Sequence, residues 1–258
     1  MITSTSSSQV KHVMQLLKKA KTRKEFKEFV VEGARMVKEA PLERLVKMYA
    51  SQSFYENHKD FFGDILADRL EIVSDSVFCQ MSDTQTPQGV LAVVKMHSAE
   101  WSDIFSDNPL ILMIENLQDP GNLGTIVRMG EGAGVSGVIM SSNTVDIYNP
   151  KTIRSTMGSI YRVPFIYTDD FTGTIKKCQR EGVTIYAAHL DGRNTYTQEN
   201  YKKPTAFLIG NEGNGLSCKA TEAADTLIKI PMEGQVESLN AAIACTVLTY
   251  EAMRQRKN

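Results

Sequence analysis

A two-part α/β architecture is what this 258-residue sequence predicts, and three observations predict it. Short apolar runs alternate with helix-patterned segments along nearly the whole chain, the signature of helices layered on sheets. In the second half those runs are almost continuously apolar, as strands of a parallel sheet covered on both faces must be. A polar stretch, 101–109, carries Asp103, Asp107 and Asn108, separates two such alternations and reads as a linker. The expected division is therefore 1–100, the linker 101–109, and 110–258. A chain of this length can bury one large or two modest cores.

The elements follow in order. Residues 10–17 space their apolar positions three and four apart, which predicts an amphipathic helix. Residues 29–31 read as a strand, and 33–40 as a helix stopped by Pro41. Strands at 47–50 and 70–73 flank a helix around 54–61, and 89–94 gives the clearest strand of this half. Together they predict a small α/β sandwich. Beyond the linker come a buried strand at 110–114, a helix at 122–133 and a strand at 137–140. A helix around 151–159, a strand near 163–167 and a helix at 171–180 continue the alternation. Strands at 183–188, 205–209 and 227–230 precede a closing helix over 239–254. Its apolar positions Leu239, Ala242, Ile243, Val247, Leu248 and Tyr250 read as core-facing, though a subunit interface would use them equally well.

Composition removes several classes. With 42% hydrophobic and 23% charged residues the chain is neither fibrous nor disordered. No apolar run reaches the ~18–20 residues that span a bilayer, and the opening residues form no signal peptide, so a cytoplasmic location is expected. Cys79, Cys178, Cys218 and Cys245 are scattered without a C-x-x-C pair, which fits a reduced compartment. The histidines are isolated as well, and no metal site is expected. The net charge of −1 hides a basic stretch: Lys11, Lys18, Lys19, Lys21, Arg23, Lys24 and Lys27 stand against Glu25 alone. Such a stretch suits phosphate contact, though taken alone a solvated helix face is the favoured reading.

Gly132-Ala133-Gly134-Val135-Ser136-Gly137 matches G-x-G-x-x-G literally. A dinucleotide fingerprint must follow a strand and open a helix, so that the helix N-terminus meets the pyrophosphate. Here the glycines follow a helix and precede a strand. A helix end and a tight turn are expected instead.

Three other segments carry chemistry. Asp119-Pro120-Gly121-Asn122 is turn sequence, with Asn122 expected as helix N-cap, Gly124 in the first turn and Arg128 six residues beyond Asn122. Spacing alone leaves Arg128 open as a surface arginine. Next, Phe207-Leu208-Ile209 runs into Gly210-Asn211-Glu212-Gly213-Asn214-Gly215, where nothing local offsets the charge of Glu212 at a strand end. Last, Pro231-Met232-Glu233-Gly234 leads to Ser238-Leu239-Asn240, where Ser238 also reads as a simple N-cap. Buried strands that break into glycine-rich loops expose main-chain N–H and C=O groups at the carboxyl edge of a sheet, where ligands of open α/β sheets bind.

Taken together, these segments resemble the three motifs of the SpoU/TrmH family of RNA ribose 2′-O-methyltransferases. Asn122, Gly124 and Arg128 match the first motif; Pro231, Met232, Gly234, Ser238, Leu239 and Asn240 match the third. The resemblance implies S-adenosylmethionine as cofactor, held by Ala188, Leu190, Ile209, Gly210, Asn211, Gly213, Ile230, Met232, Ser238 and Leu239. It implies a reacting centre of Asn122, Arg128, Glu212, Ser238 and Asn240. It also implies a SPOUT-type parallel sheet with a C-terminal trefoil knot, working as a homodimer through this half of the chain. Residues 149–158 look like the family too, making Lys151 and Arg154 candidate RNA contacts. More weakly, Val10-Lys11, Arg23 and residues 29–35 resemble an L30e-like substrate-binding domain over 1–100, which adds Lys11, Lys18, Arg23, Lys24 and Arg35 as RNA contacts and favours 23S ribosomal RNA. The chain departs from the family in lacking an asparagine near Ser8 and in carrying Gly130 and Glu131 where alanine and aspartate are usual.

Methyl transfer from a sulfonium releases a neutral thioether, so the chemical demand is alignment of the 2′-hydroxyl and help with its proton. No histidine or cysteine lies in the motifs. A guanidinium titrates above ~12, so an arginine acting as base at pH 7 would cost at least ~7 kcal/mol. The expected role of Arg128 is therefore to hold an RNA phosphate and stabilise developing negative charge, positioned by Asn122 and Glu212. Within this class a transfer-RNA enzyme or an antibiotic-resistance ribosomal RNA methyltransferase competes. Outside it stand a non-catalytic RNA-binding protein and a nicotinamide oxidoreductase.

Overall fold

The computed structural model describes residues 1–63 and 67–257, which divide into two compact units. The first comprises Met1–His97 with Asp146–Tyr161, the second Ser98–Val145 with Arg162–Asn258. Chain order and unit membership thus differ between 146 and 161, a stretch that sequence reading placed with the second half.

In the first unit, β1 (Glu28–Glu32), β2 (Leu45–Ser51), β3 (Leu70–Val73) and β4 (Val90–Lys95) form a sheet in the order β1-β4-β2-β3. β4 runs antiparallel to both β1 and β2, whereas β2 and β3 are parallel. The expected first helix is Ser8–Lys18; its Val10, Val13 and Leu16 are fully buried in one cluster with Tyr49, Leu91 and Val93. Helix Ala20–Phe26, which was not expected, ends where Lys27 turns left-handed at φ 53°. Helix Asp75–Met81 also escaped the periodicity reading, although Ser74 caps it by accepting from the Val77 N–H. The helix expected around 54–61 divides into Gln52–Asn57 and a 3-10 turn, Lys59–Phe62. Helix Pro150–Thr156 belongs to this unit and packs on β1.

The second unit carries β5 (Leu110–Ile114), β6 (Gly137–Ser141), β7 (Phe165–Thr168), β8 (Thr184–Ala188), β9 (Asn194–Thr195), β10 (Thr205–Ile209) and β11 (Thr226–Lys229). Their order is β7-β6-β5-β10-β8-β11-β9, and every pairing is parallel, as continuous apolar runs predict. β5, β6 and β10 are buried at every position. Helix Pro120–Ala133 packs against the closing helix Ala241–Lys257. Gly134 ends the former helix at φ 76°, its N–H directed to Glu131 O and Gly130 O, so the glycine-rich run there is a helix stop.

Two expectations fail here for identifiable reasons. The stretch 101–109 is not wholly linker, because Trp101–Ile104 forms a helical turn closed by a capping box between Glu100 and Asp103. Ile104 is fully buried, and a Cβ at Gly137 would collide with it. The closing helix buries Ala241, Ala242, Cys245, Leu248, Thr249 and Ala252, while Ile243 is 54% and Tyr250 42% exposed. Ala242 and Leu248 face the core as expected, but most of the stripe is small residues, which hydropathy alone underrates. Among the described residues no helix is long and apolar enough to cross a membrane.

Candidate functional site

Because the strands of the second unit are parallel, β5, β8, β10 and β11 deliver the residues that follow them to one edge. There the main chain of the two glycine-rich loops encloses a cavity of about 720 Å3. Gly210 is obligatory in its wall, since a Cβ would run into the Gly215–Leu216 peptide. Asn211 and Gly215 exchange two backbone hydrogen bonds, both 2.9 Å, and Gly215 sits at φ 66°. The Asn211 side chain closes the loop on itself. Its Oδ1 accepts from the N–H groups of Gly213 (2.9 Å) and Asn214 (3.0 Å), and its Nδ2 donates to Asn116 O at 2.8 Å. Asn211 therefore shapes the cavity with its side chain committed to backbone.

The carboxylate of Glu212 is held by the start of the next motif. Asp119 N–H donates to Oε1 at 2.9 Å, Gln118 N–H to Oε2 at 3.1 Å, and Asn122 Nδ2 to Oε1 at 3.2 Å. Burial would push this carboxyl up, but the backbone donors of Asp119 and Gln118, with Asn122, outweigh it and hold Glu212 below the usual glutamate range. Asn122 in turn accepts at Oδ1 from Asn240 Nδ2, 3.0 Å. Asn240 Oδ1 accepts from the N–H groups of Ala242 (2.9 Å) and Ile243 (3.3 Å), capping the closing helix. One side chain from each motif thus forms a continuous chain, Glu212–Asn122–Asn240. The Asn122 amide suits the middle position, because its Nδ2 donates to the carboxylate on one side and its Oδ1 accepts on the other.

This arrangement corrects three expectations. The N-cap of helix Pro120–Ala133 is Asp119, which accepts from Asn122 N–H at 2.7 Å with Pro120 in the first turn, and not Asn122. The closing helix is capped by Asn240, not Ser238; Ser238 is exposed at the cavity wall. Glu212 bonds to Asn122, and Asn122 to Asn240; neither bonds to Arg128. Arg128 lies exposed on helix Pro120–Ala133 and makes no hydrogen bond or ion pair among the described residues.

Ala188, Leu190, Ile209, Gly210, Asn211, Gly213, Ile230, Met232, Ser238 and Leu239 all line the cavity. Sequence reading missed others. Glu115, only 7% exposed, accepts from Ser217 N–H and Ser217 Oγ–H, both at 2.7 Å, and so ties the end of β5 to the far side of the glycine loop. It is a charge closing an otherwise apolar strand, the signal that singled out Glu212. Asn116 adopts a left-handed φ of 56°, and its carbonyl receives both Asn211 Nδ2 and Gln118 Nε2. His189 and Val236 also line the cavity, without any local sequence signal.

The candidate RNA contacts all lie in the first unit. Lys11, Lys18 and Lys24 are exposed on its first two helices. Arg35 is 63% exposed and paired to Glu39 at 2.9 Å, and Arg154 Nη1 is bonded to Asp83 at 2.7 Å. Lys151 is exposed on helix Pro150–Thr156. Arg23 is the exception. It is 4% exposed, with Nε and Nη2 donating to Asp146 Oδ2 (3.1 and 2.6 Å) and Nη1 to the Leu16 and Leu17 carbonyls (2.7 and 3.3 Å). Its donors are committed inside the fold, so it holds the first unit together and is withdrawn from the phosphate contacts.

Comparison with known proteins agrees with this geometry. Residues 109–250 match the model of the SpoU rRNA methylase family, and residues 7–92 match the MRM3-like substrate binding domain. An uncharacterized tRNA/rRNA methyltransferase of Synechocystis is 34% identical over 99% of this chain and 94% of its own length. The 23S rRNA (guanosine(2553)-2′-O)-methyltransferase RlmP of Bacillus subtilis is 32% identical over 69% of this chain and 70% of its own. Among solved structures, the SpoU methyltransferase AviRb of Streptomyces viridochromogenes in complex with AdoMet superposes with a TM-score of 0.86, at 25% identity over 97% of this chain and 99% of that one.

Proposed function

The chain belongs to the SpoU rRNA methylase family, and from that premise we propose that it transfers a methyl group from S-adenosylmethionine to a ribose 2′-hydroxyl of 23S ribosomal RNA in the cytoplasm. The observation that carries this reading is the cavity between two glycine loops, with the Glu212–Asn122–Asn240 chain joining all three motifs beside it.

The lining fits the cofactor. Ile209, Ile230, Met232 and Leu239 offer an apolar bed for the adenine and the methionine chain, and the loop around Gly210 presents main-chain donors and acceptors for the polar groups. Bound there, the sulfonium supplies an activated methyl whose leaving group needs no acid. The protein's residues do the rest. Glu212 stays ionised and fixes Asn122, which fixes Asn240 at the helix start, so the three segments hold one geometry. Ser238 offers a hydroxyl to the incoming ribose. Arg128, with its donors unused, would take an RNA phosphate and stabilise negative charge on the 2′-oxygen, whose proton passes to solvent water.

Residues 1–100 form the substrate-binding part, contacting RNA through Lys11, Lys18, Lys24 and Arg35, and Lys151 and Arg154 of helix Pro150–Thr156 add to these contacts; the match over 7–92 supports the binding part. The catalytic part is 110–258 and pairs with a second copy. Its exposed apolar residues Leu190 (66%), Val236 (61%), Ile243 (54%) and Tyr250 (42%) support that pairing. The interleaved strand order is compatible with the family's C-terminal knot.

The test is transfer of tritiated methyl from S-adenosylmethionine to total RNA of a host lacking this gene, followed by ribose-methylation mapping. Label at one 2′-O position is expected. Absence of both label and cofactor binding would overturn the enzyme reading, and label on a base would overturn the ribose chemistry.

A further inference from the structure

A second cavity, of about 310 Å3, lies within the first unit at the carboxyl ends of β2 and β3 and the start of β4. Pockets near this size take a single ring system. Gly89 forms part of its wall at φ 93°, and a Cβ there would press to 2.8 Å from both Phe54 Cβ and Ser51 Oγ. His58 is exposed and stacks on the 8%-exposed Phe54, centroids 4.4 Å apart and planes at 19°. His58 Nδ1 lies 3.1 Å from the Phe54 carbonyl, which can only accept, so this nitrogen carries the hydrogen and the ring is fixed. A buried aromatic thus braces an exposed flat ring.

The polar lining has a definite inventory. Asp75 Oδ1 accepts from Ser53 N–H (3.2 Å) and Oγ–H (2.5 Å), leaving acceptor capacity on Oδ2. Asn57 Nδ2 donates to Ser53 O at 2.9 Å, which leaves its Oδ1 as a second acceptor. Gln88 Oε1 accepts from Ala34 N–H at 2.8 Å, which leaves its Nε2 as a donor. Among the described residues the lining is neutral or acidic, with no lysine or arginine, which does not suit a phosphate. Two acceptors and one donor beside a flat ring complement the Watson–Crick edge of guanine, which offers N1–H, N2–H and O6.

We propose that this cavity is a second RNA contact that takes one unstacked guanine of a single-stranded segment, stacked on His58 with its edge facing Asp75, Asn57 and Gln88. The inference rests on the RNA-modifying reading above and adds a base-reading site to it. Uracil and cytosine present a different donor pattern, and adenine has no counterpart to the N1–H, so all three fit less well.

Binding of the full chain to short single-stranded oligoribonucleotides that differ at one central base tests this. Fluorescence anisotropy should show guanine bound about tenfold more tightly than the other bases, and inosine, which lacks the N2 amine, in between. Asp75→Asn should abolish the preference, and His58→Ala should weaken the guanine oligomer at least about fivefold, with S-adenosylmethionine affinity unchanged in both. No base preference in the wild type, guanine and inosine binding equally, or a preference kept by both variants would overturn the proposal. If no oligomer binds while ribosomal RNA is still methylated, the base site falls and the enzyme reading stands. If neither binding nor methylation occurs, both fall.

Discussion

Two arginines of this chain occupy opposite environments. Arg23, at 4% exposure, directs its guanidinium to Asp146 and to the carbonyls ending the first helix; Arg128 is exposed on helix Pro120–Ala133, free of any hydrogen bond or ion pair among the described residues. A guanidinium has five N–H donors and no way to lose its charge at neutral pH. Where the fold satisfies those donors, the residue is structural; where it leaves them open, they remain for a ligand. Glu212 differs from both, exposed yet held by three donors.

The contrast can be broken by substitution. The largest effect belongs to Arg128→Ala, which should lower kcat by about 10²–10³-fold, the size seen when one charge-stabilising donor is lost. Its melting temperature should stay unchanged, because an exposed substitution typically moves stability by less than about 0.5 kcal/mol. Arg23→Ala should do the reverse, costing about 3 kcal/mol in a denaturant titration by stranding the Asp146 carboxylate and two carbonyls. Methyl transfer per folded molecule should survive it. If Arg23→Ala left stability intact and weakened RNA binding instead, the assignment of the two arginines would be inverted.

A smaller effect sharpens the description of the cavity wall in the second unit. Gly210→Ala should weaken S-adenosylmethionine binding at least about tenfold by calorimetry, because the new Cβ forces the Gly215–Leu216 peptide out of the cavity wall. The smallest concerns Glu212. Its folded-state pKa is lowered, so its contribution to stability is fully present above the ordinary glutamate pKa and is lost as pH falls through the lowered value. Glu212→Gln should therefore cost about 1 kcal/mol or less at pH 7, given its exposure, and the gap from wild type should close in acid. A gap that widened in acid would refute the hydrogen-bond account.

Much of this was legible in the sequence because the second unit is locally consistent. Leu110–Ile114 and Thr205–Ile209 are almost wholly apolar and become buried central strands, and the turn after the second carries residues that line the cavity. What periodicity missed depends on long-range partners. Arg23 lies in a basic run and looks solvated until Asp146, 123 positions away, is seen beside it. Trp101–Ile104 looks like linker until Gly137 makes room for Ile104. Ser238 and Asn240 are both good N-cap residues, and only the bonds from the Ala242 and Ile243 N–H groups to Asn240 Oδ1 show which serves. The closing helix misled because its inner stripe is built of alanine, cysteine and threonine, while Ile243 and Tyr250 remain outside.

The central claim is that a free guanidinium at position 128 assists methyl transfer in a cavity that other residues hold in shape. Steady-state transfer to ribosomal RNA by Arg128→Lys, with S-adenosylmethionine affinity measured on the same sample, tests it most directly. The account predicts a fall in kcat of about 10²-fold with cofactor affinity within twofold of wild type, because an ammonium keeps the charge but not the paired donors. Turnover near wild type would contradict it.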